Sequence, residues 1–357
     1  MVPFPVGFWR FTPKTRRMIK AAIQNLAKEI LPTRDEAYGV LTQIMKGEAT
    51  DAQISAYITA LRFVGETPDV IAGSAVAMRE AATRVDTKQE RLVDTCGTGG
   101  DGANTFNIST TSAIVAAGAG VPVAKHGNRS VSSKSGSADV LAALGVDISV
   151  GPEVMTKCLD DIGIAFLFAP SLHPAMKYAI GPRREIGIRT IFNILGPLTN
   201  PAGARRGVLG VYNDKLVETL AQALASMGVD RYFVVHGMDG LDEITLTAPT
   251  QIAEVTADGV WMREVAPKDF GMTMCEPEAL TGGEPEDNAK IVRAILSGEE
   301  QGPRREITLL NAAAAIAAGG LVNDLEDGVD LAKQSIDSGA ALAKLDALVS
   351  GTSSPAG

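Results

Sequence analysis

Residues 97 to 102 read Gly-Thr-Gly-Gly-Asp-Gly, four glycines in six positions. A run this dense in glycine suits neither a helix interior nor a strand interior, so it must be a turn, and its flanks say what kind. Ahead of it Leu92-Val93-Asp94 has strand character, and behind it a helical pattern opens near Asn107-Ile108-Ser109-Thr110. A glycine turn between a strand and a helix lets backbone N–H groups close on an anion, and the helix N-terminus adds partial positive charge. The alternative is an ordinary tight turn. Gly97, Gly99 and Gly102 formally satisfy G-x-G-x-x-G, but a dinucleotide fold wants an acidic residue about 20 positions on to hold a ribose hydroxyl. The end of the next strand carries Lys125-His126 instead, the wrong charge for that hydroxyl and the right one for more phosphate. A Walker loop fails because Ala103-Asn104 stand where Lys-Ser/Thr would follow Gly102.

The surrounding pattern is that of an α/β protein with a helical module in front. Over residues 18 to 85 apolar side chains recur at i, i+3 and i+4, as in Ile19, Ile23, Leu26, Ile30 and in Ile54, Tyr57, Ile58, Leu61, which predicts amphipathic helices. Thr33 ahead of Glu36, Thr50 ahead of Gln53, and Thr67-Pro68 mark helix starts. Beyond the charged stretch 86 to 91, short β-forming runs alternate with helical stretches. The expected strands are Leu92-Val93-Asp94, Val121-Pro122-Val123-Ala124, Ala165-Phe166-Leu167-Phe168, 207 to 212 and 232 to 235. Such alternation implies a mostly parallel central sheet with helices on both faces. Residues 255 to 264, turning at Asp258-Gly259, read as an added hairpin. The expected division is an N-terminal extension at 1–17, a helical domain at 18–88, an α/β domain at 89–350 and a frayed tail at 351–357.

At 357 residues the chain has length for about two domains. Its 45% apolar and 21% charged residues exclude wholesale disorder and a coiled-coil rod. Acidic residues outnumber basic ones 42 to 33, a net charge of −9, so the field of the molecule repels polyanions and neither nucleic acid nor an anionic membrane is an expected partner. Cys96, Cys158 and Cys275 are odd in number, far apart and lack a CxxC pairing, which points to free thiols in a reducing compartment and away from a thiolate zinc site. The N-terminal stretch is broken by Pro3, Pro5 and Pro13 and places its positive charges after its apolar residues, the wrong order for a secretory signal. The longest weakly apolar runs, 112 to 124 and 311 to 322, fall short of the ~20 residues of a spanning helix. A cytoplasmic protein is expected.

Three further clusters carry chemistry. Residues 125 to 139 pack three cations, a histidine and five serines between a strand and a helix, a composition too polar for core and suited either to a solvated capping loop or to a second phosphate turn. Two such turns at the carboxyl ends of parallel strands would face one crevice. Asp242-Glu243 puts adjacent carboxylates on a glycine-flanked loop, either merely solvated or poised for Mg²⁺ beside a polyphosphate. Arg183-Arg184-Glu185 with Arg189 reads as a surface ion-pair set or as a bidentate carboxylate clamp.

The blocks CGTGGDGANTFNIST (96 to 110), KHGNRSVSSKSGSADVL (125 to 141), HPAMK (173 to 177), RREIGIRTIFNILGPLTNPA (183 to 202) and GLDEI (240 to 244) together resemble the anthranilate phosphoribosyltransferase family, in order and spacing over about residues 18 to 345. The resemblance implies transfer of the ribose C1 of 5-phosphoribosyl diphosphate (PRPP) to the amine of anthranilate, with release of pyrophosphate and with Mg²⁺, in tryptophan biosynthesis. It implies a small helical domain, joined by helices near 172–190, on a larger α/β domain of the nucleoside phosphorylase/phosphoribosyltransferase type, and a homodimer through the helical domain. Carried over by position, Gly97, Gly100, Asp101, Thr105, Asn107, Ile108, Ser109 and Thr110 hold PRPP. Lys125, His126, Gly127, Asn128, Arg129, Ser130, Val131, Ser132, Ser133 and Ser137 wrap its phosphates. Ser109, Asp242 and Glu243 ligate the metal, Asn128 and Arg183 contact anthranilate, and Pro170, His126 and Met176 line the acceptor's path. Phe4, Phe8, Trp9 and Phe11 of the extension have no role in that pattern.

The chemistry suits these residue types. Departure of pyrophosphate builds negative charge on oxygen and oxocarbenium character at C1, so cations and N–H donors on the leaving group, Lys125 among them, do most of the work. Arg183 places the acceptor; His126 either takes a proton late or orients the acceptor. A pyrimidine nucleoside phosphorylase shares the architecture but has a different lysine loop. A non-enzymatic nucleic-acid-binding relative is disfavoured by the net negative charge.

Overall fold

The computed structural model describes residues 18–130 and 134–353. Val131, Ser132, Ser133, the aromatic residues of the extension and the last four residues lie outside the described residues.

Four helices, Met18–Leu26, Arg34–Met45, Asp51–Val64 and Pro68–Glu80, form the N-terminal bundle. Their starts are set by the residues that the sequence singled out. Thr33 and Thr50 each accept a hydrogen bond from the backbone N–H three residues on, and the Glu36 and Gln53 side chains accept one from the cap residue's own N–H, closing two capping boxes. Thr67 caps the fourth helix, with Pro68 in its first turn. The helix Lys177–Ile186, far along the chain, packs on Asp51–Val64 and completes this bundle.

The remaining chain builds a seven-stranded sheet from β1 (Val93–Thr95), β2 (Val123–Gly127), β3 (Ile164–Phe168), β4 (Arg206–Gly210), β5 (Arg231–Gly237), β6 (Thr250–Thr256) and β7 (Gly259–Val265). Its order is β3-β2-β1-β4-β5-β6-β7; β1 to β5 pair in parallel and the β6–β7 hairpin adds antiparallel to β5. Period-two alternation sorts side chains into two cores. Val208, Phe233, Val235 and Ile252 face the α/β core beneath the helices Ile108–Gly118 and Pro303–Gly319. Leu209, Tyr232, Val234 and Ala253 face the opposite layer, where the helix Lys215–Ser226 links the sheet to the N-terminal bundle. Among the described residues no helix is long and apolar enough to cross a membrane.

Two expectations are corrected here. The second strand lies later than its apolar run suggested, starting at Val123 and including Lys125, His126 and Gly127, so that Lys125 and His126 are each only 3% exposed rather than part of a polar loop. Burial is tolerated because the Lys125 ammonium donates to the Thr95 carbonyl at 2.6 Å. At the other end, the helix Ala340–Ser353 continues through residues expected to fray. Thr352 is buried there and its hydroxyl accepts from the Asp147 N–H at 3.2 Å, which ties the last turn to the domain.

Candidate active site

Strand order creates the site. From β1 the chain steps outward to β2 and β3, then returns to the other side of β1 as β4, so the carboxyl ends of β1, β2, β4 and β5 surround a topological switch point. The glycine loop leaves β1 there. Gly99, Gly100 and Gly102 all have left-handed φ, between 66° and 80°. Such a backbone turns its N–H groups outward, and one of them, that of Gly99, donates to Asp242 Oδ2 at 2.8 Å.

Two other glycines are required for close approach. A Cβ on Gly210, at the end of β4, would sit 1.7 Å from the Asp242 carbonyl oxygen, and one on Gly97 would sit 2.5 Å from its Oδ2. At Gly210 only glycine lets the backbone of the acidic loop after β5 nest against β4, whereas a side chain at Gly97 would displace the Asp242 carboxylate.

Lys125 reaches the same place from β2. Val93 pairs with Val123, and Thr95 and Lys125 each lie two residues further along neighbouring parallel strands, so their side chains share a face. Lys125 Nζ lies 3.4 Å from both Thr95 Oγ1 and Ser109 Oγ, the latter in the first turn of the helix Ile108–Gly118. Thr95, Gly97, Ser109, Gly210 and Glu243 line one cavity. Residues from four separate stretches of sequence therefore meet.

The electrostatics favour a cation. Burial, then repulsion from Asp101, pushes the Asp242 carboxyl up to about 7. Burial and the neighbouring Asp242 push Glu243 up as well, partly offset by the Lys125 ammonium. Two carboxylates held together at this cost become favourable once a divalent ion neutralises them. Their donors, with the Ser109 hydroxyl, are all oxygen, which suits a hard cation such as Mg²⁺. Among the described residues no three His, Cys, Asp or Glu side chains form a complete metal cage, so the remaining positions would fall to substrate phosphate and water.

The other expected residues divide into those that face this crevice and those that do not. Asp101 faces Asp242, while Thr105 bridges to Thr281 in an isolated antiparallel contact. Ile108 and Thr110 are 2% and 1% exposed; Ile108 packs in the core, while the buried Thr110 hydroxyl makes no hydrogen bond among the described residues and lines a second small cavity with Lys125. Asn107 does not cap its helix. Its carboxamide donates to the Ser135 carbonyl at 3.0 Å and accepts from Asn288 Nδ2 at 3.0 Å, fastening the serine-rich turn to the helix Pro285–Leu296. Arg129 forms a 2.7 Å ion pair with Asp139. Partial burial works against the charge of Asp139, yet the N–H groups of Ser130 and Gly136 and the Arg129 guanidinium hold it below the ordinary carboxylate range. This organises the turn around Asn128, which is exposed, and Ser137 in the first turn of the next helix.

His126, expected on the acceptor's path, and His173 stack tilted with ring centroids 5.1 Å apart. Burial pushes His126 down to about 3 and His173 down to about 4, so both imidazoles are neutral at pH 7. Pro170 is exposed on the short helix after β3, and Met176 packs partly buried against the bundle core. Arg183 lies half-buried on Lys177–Ile186, 5.3 Å over the Phe192 ring, and makes no ion pair among the described residues. Burial lowers its pKa. That is a cation without an acid, not a surface ion-pair set.

Several residues that position the site escaped the sequence reading. Asp94, pushed up to about 6 by burial, accepts from the His126 N–H at 3.0 Å and from Asn200 Nδ2 at 2.8 Å; Asn200 also donates to the Ala124 carbonyl at 2.8 Å. This network locks the ends of β1 and β2 together. Arg189 donates to the Gly100 carbonyl while its guanidinium lies 3.9 Å over the Tyr212 ring. A lone polar residue inside an apolar run, as at Asp94 after Leu92-Val93, was the available signal.

Comparison with known proteins agrees with this arrangement. Residues 20–82 match the glycosyl transferase family, helical bundle domain, and residues 89–342 match the glycosyl transferase family, a/b domain. The chain is 56% identical over 346 residues to the anthranilate phosphoribosyltransferase of Geobacter sulfurreducens, covering 93% of this chain and 99% of the relative. It is 52% identical to that of Acetivibrio thermocellus, covering 94% and 97%. The crystal structure of anthranilate phosphoribosyltransferase from Thermus thermophilus superposes with a TM-score of 0.89 at 42% identity, covering 93% of this chain and 99% of that one. The Saccharomyces cerevisiae enzyme in complex with PRPP and Mg superposes with a TM-score of 0.86 at 28% identity, covering 95% and 100%. With more than half of its residues identical to a relative matched almost end to end, the chain belongs to the anthranilate phosphoribosyltransferases.

Proposed function

We propose that this chain transfers the phosphoribosyl group of PRPP to the amine of anthranilate, giving N-(5-phosphoribosyl)anthranilate and pyrophosphate. The observation that carries the reading is that Gly97, Ser109 and Glu243 line one cavity, while Lys125 Nζ lies 3.4 Å from Ser109 Oγ and the Gly99 N–H donates to Asp242 beside Glu243. The N–H groups of the glycine loop and the first turn of Ile108–Gly118 bind the diphosphate, and Lys125 faces the charge that grows on the leaving oxygen. Asp242, Glu243 and Ser109 would hold Mg²⁺, which when bound neutralises pyrophosphate as it leaves. Asn128 and the turn organised by Asp139 enclose the phosphates.

Arg183 grips the anthranilate carboxylate and sets the amine in line with C1, catalysis by positioning. An aromatic amine is already neutral at pH 7, so no strong base is needed. His126, pushed down to about 3, is too weak a base to take the proton efficiently at neutral pH and instead orients the acceptor together with Pro170 and Met176. The three free thiols suit the reducing cytoplasm. Pairing of two copies through the helical domain, as the family resemblance implies, would cover Phe63, which is 80% exposed on the helix Asp51–Val64.

The deciding experiment follows anthranilate fluorescence in the presence of PRPP with and without Mg²⁺. Loss of fluorescence that requires both supports the reading, and no consumption under any Mg²⁺ concentration rejects it.

A further inference from the structure

We propose that Asn311 is a positioning residue for the acidic pair: from the middle of the helix Pro303–Gly319 its carboxamide grips the backbone of Ile244 and so fixes Asp242 and Glu243 against the glycine loop. The proposal rests on the reading of those carboxylates as the metal-holding pair.

Asn311 is 2% exposed in a helix whose neighbouring positions are Leu309, Leu310 and a run of alanines. A buried carboxamide in such surroundings is unfavourable unless its hydrogen-bonding groups find partners. Here they do. Oδ1 accepts from the Ile244 N–H at 2.9 Å, and Nδ2 donates to the Ile244 carbonyl at 2.8 Å and to the Ile307 carbonyl at 2.9 Å. Taking both polar groups of one residue copies the pairing of a neighbouring strand, and it leaves Ile244 little freedom to rotate.

Ile244 directly follows Glu243, and Asn311 and Glu243 line the same cavity as Thr95 and Ser109. The segment between β5 and β6 contains neither helix nor strand, so nothing regular holds it. On one side of the acidic pair the Gly99 N–H holds Asp242, and on the other Asn311 holds Ile244. Two adjacent carboxylates repel each other and would turn toward water if the backbone were loose; metal affinity depends on their being placed in advance.

The test uses the full chain with Asn311→Leu, similar in size but unable to hydrogen-bond, and Asp242→Asn/Glu243→Gln as the control. Mn²⁺ is titrated onto the protein without PRPP or acceptor, since the diphosphate itself chelates the ion, and the Mg²⁺ concentration for half-maximal rate and the KM for anthranilate at saturating Mg²⁺ are measured. Asn311→Leu is expected to weaken Mn²⁺ binding at least tenfold and raise the Mg²⁺ requirement in step. Rate should recover at high Mg²⁺, and the anthranilate KM should stay within twofold. Wild-type Mn²⁺ affinity in Asn311→Leu, or an equal loss in anthranilate KM, overturns the positioning role. Mn²⁺ binding that survives in the double control overturns the metal reading itself and this proposal with it. Should Asn311→Leu fail to fold, amide exchange in the wild type decides: the Ile244 N–H is expected to be as protected as those of Pro303–Gly319, and exchange at loop rates overturns the proposal.

Discussion

Asp242 Oδ2 accepts the backbone N–H of Gly99 at 2.8 Å, a contact between residues 143 apart in sequence. It joins the acidic loop after β5 to the glycine loop after β1, and it exists because Gly97 and Gly210 carry no side chain. The glycine turn proposed to bind the donor and the carboxylates proposed to hold the metal are thus one structural unit, and a change in either is felt by the other.

Gly210→Ala sets a Cβ against the Asp242 backbone and should cost about 1–3 kcal/mol, the usual range for overpacking, together with most PRPP-dependent activity. Gly97→Ala meets only the tip of the Asp242 side chain and should cost less stability while still displacing that carboxylate. Thermal melts and PRPP titrations check both; a Gly210→Ala protein with the melting point and PRPP affinity of the wild type would refute the packing argument.

Asp242→Asn with Glu243→Gln should lower kcat by about 10²–10³, the scale for removing a group that supports developing charge. The requirement for Mg²⁺ should disappear with it. Near-normal kinetics at low Mg²⁺ would remove these residues from the proposed metal site.

The same pair sets a pH dependence. Asp242 sits at about 7 in the fold and near 4 when unfolded, so between those values the folded state binds more protons. The stability this contributes is full below about pH 4 and is lost as pH rises through about 7, whereas cation binding needs the deprotonated form and weakens as pH falls below about 7. Without Mg²⁺ the double variant should therefore outlast the wild type at pH 8 in thermal melts, and the gap should close toward pH 4. A gap that widens on acidification would show the opposite sign.

Arg183→Ala should raise the KM for anthranilate about 10- to 100-fold, equivalent to the ~1.5–3 kcal/mol of a charged hydrogen bond, with a much smaller effect on PRPP. Equal effects on the two substrates would count against a carboxylate clamp.

Phe63→Glu should convert a dimer to the 37.3 kDa monomer in light scattering, since a charge cannot be buried at an apolar contact without a partner. A variant that stays dimeric moves the interface elsewhere.

The chain itself specified features that act over a few residues. Thr33, Thr50 and Thr67 start helices because a hydroxyl can reach an N–H only three positions on, the glycine run could only turn, and alternating apolar patterns separated bundle from sheet. Local polarity misled where long-range partners intervened. Lys125 and His126 looked like loop residues, yet they are in β2, where Thr95 and Asp94 take up the Lys125 ammonium and the His126 N–H. The Asn107 carboxamide, expected at the ligand from the family resemblance, bonds Ser135 and Asn288, which leaves the backbone of its turn to face a ligand.

Which loops meet was decided only by the sheet. The order β3-β2-β1-β4-β5 brings strand ends from residues 95 to 237 to one switch point. The buried surroundings that push Asp242 up and His126 down exist only once those strands pack, because desolvation depends on every neighbour in three dimensions and on none in particular along the chain.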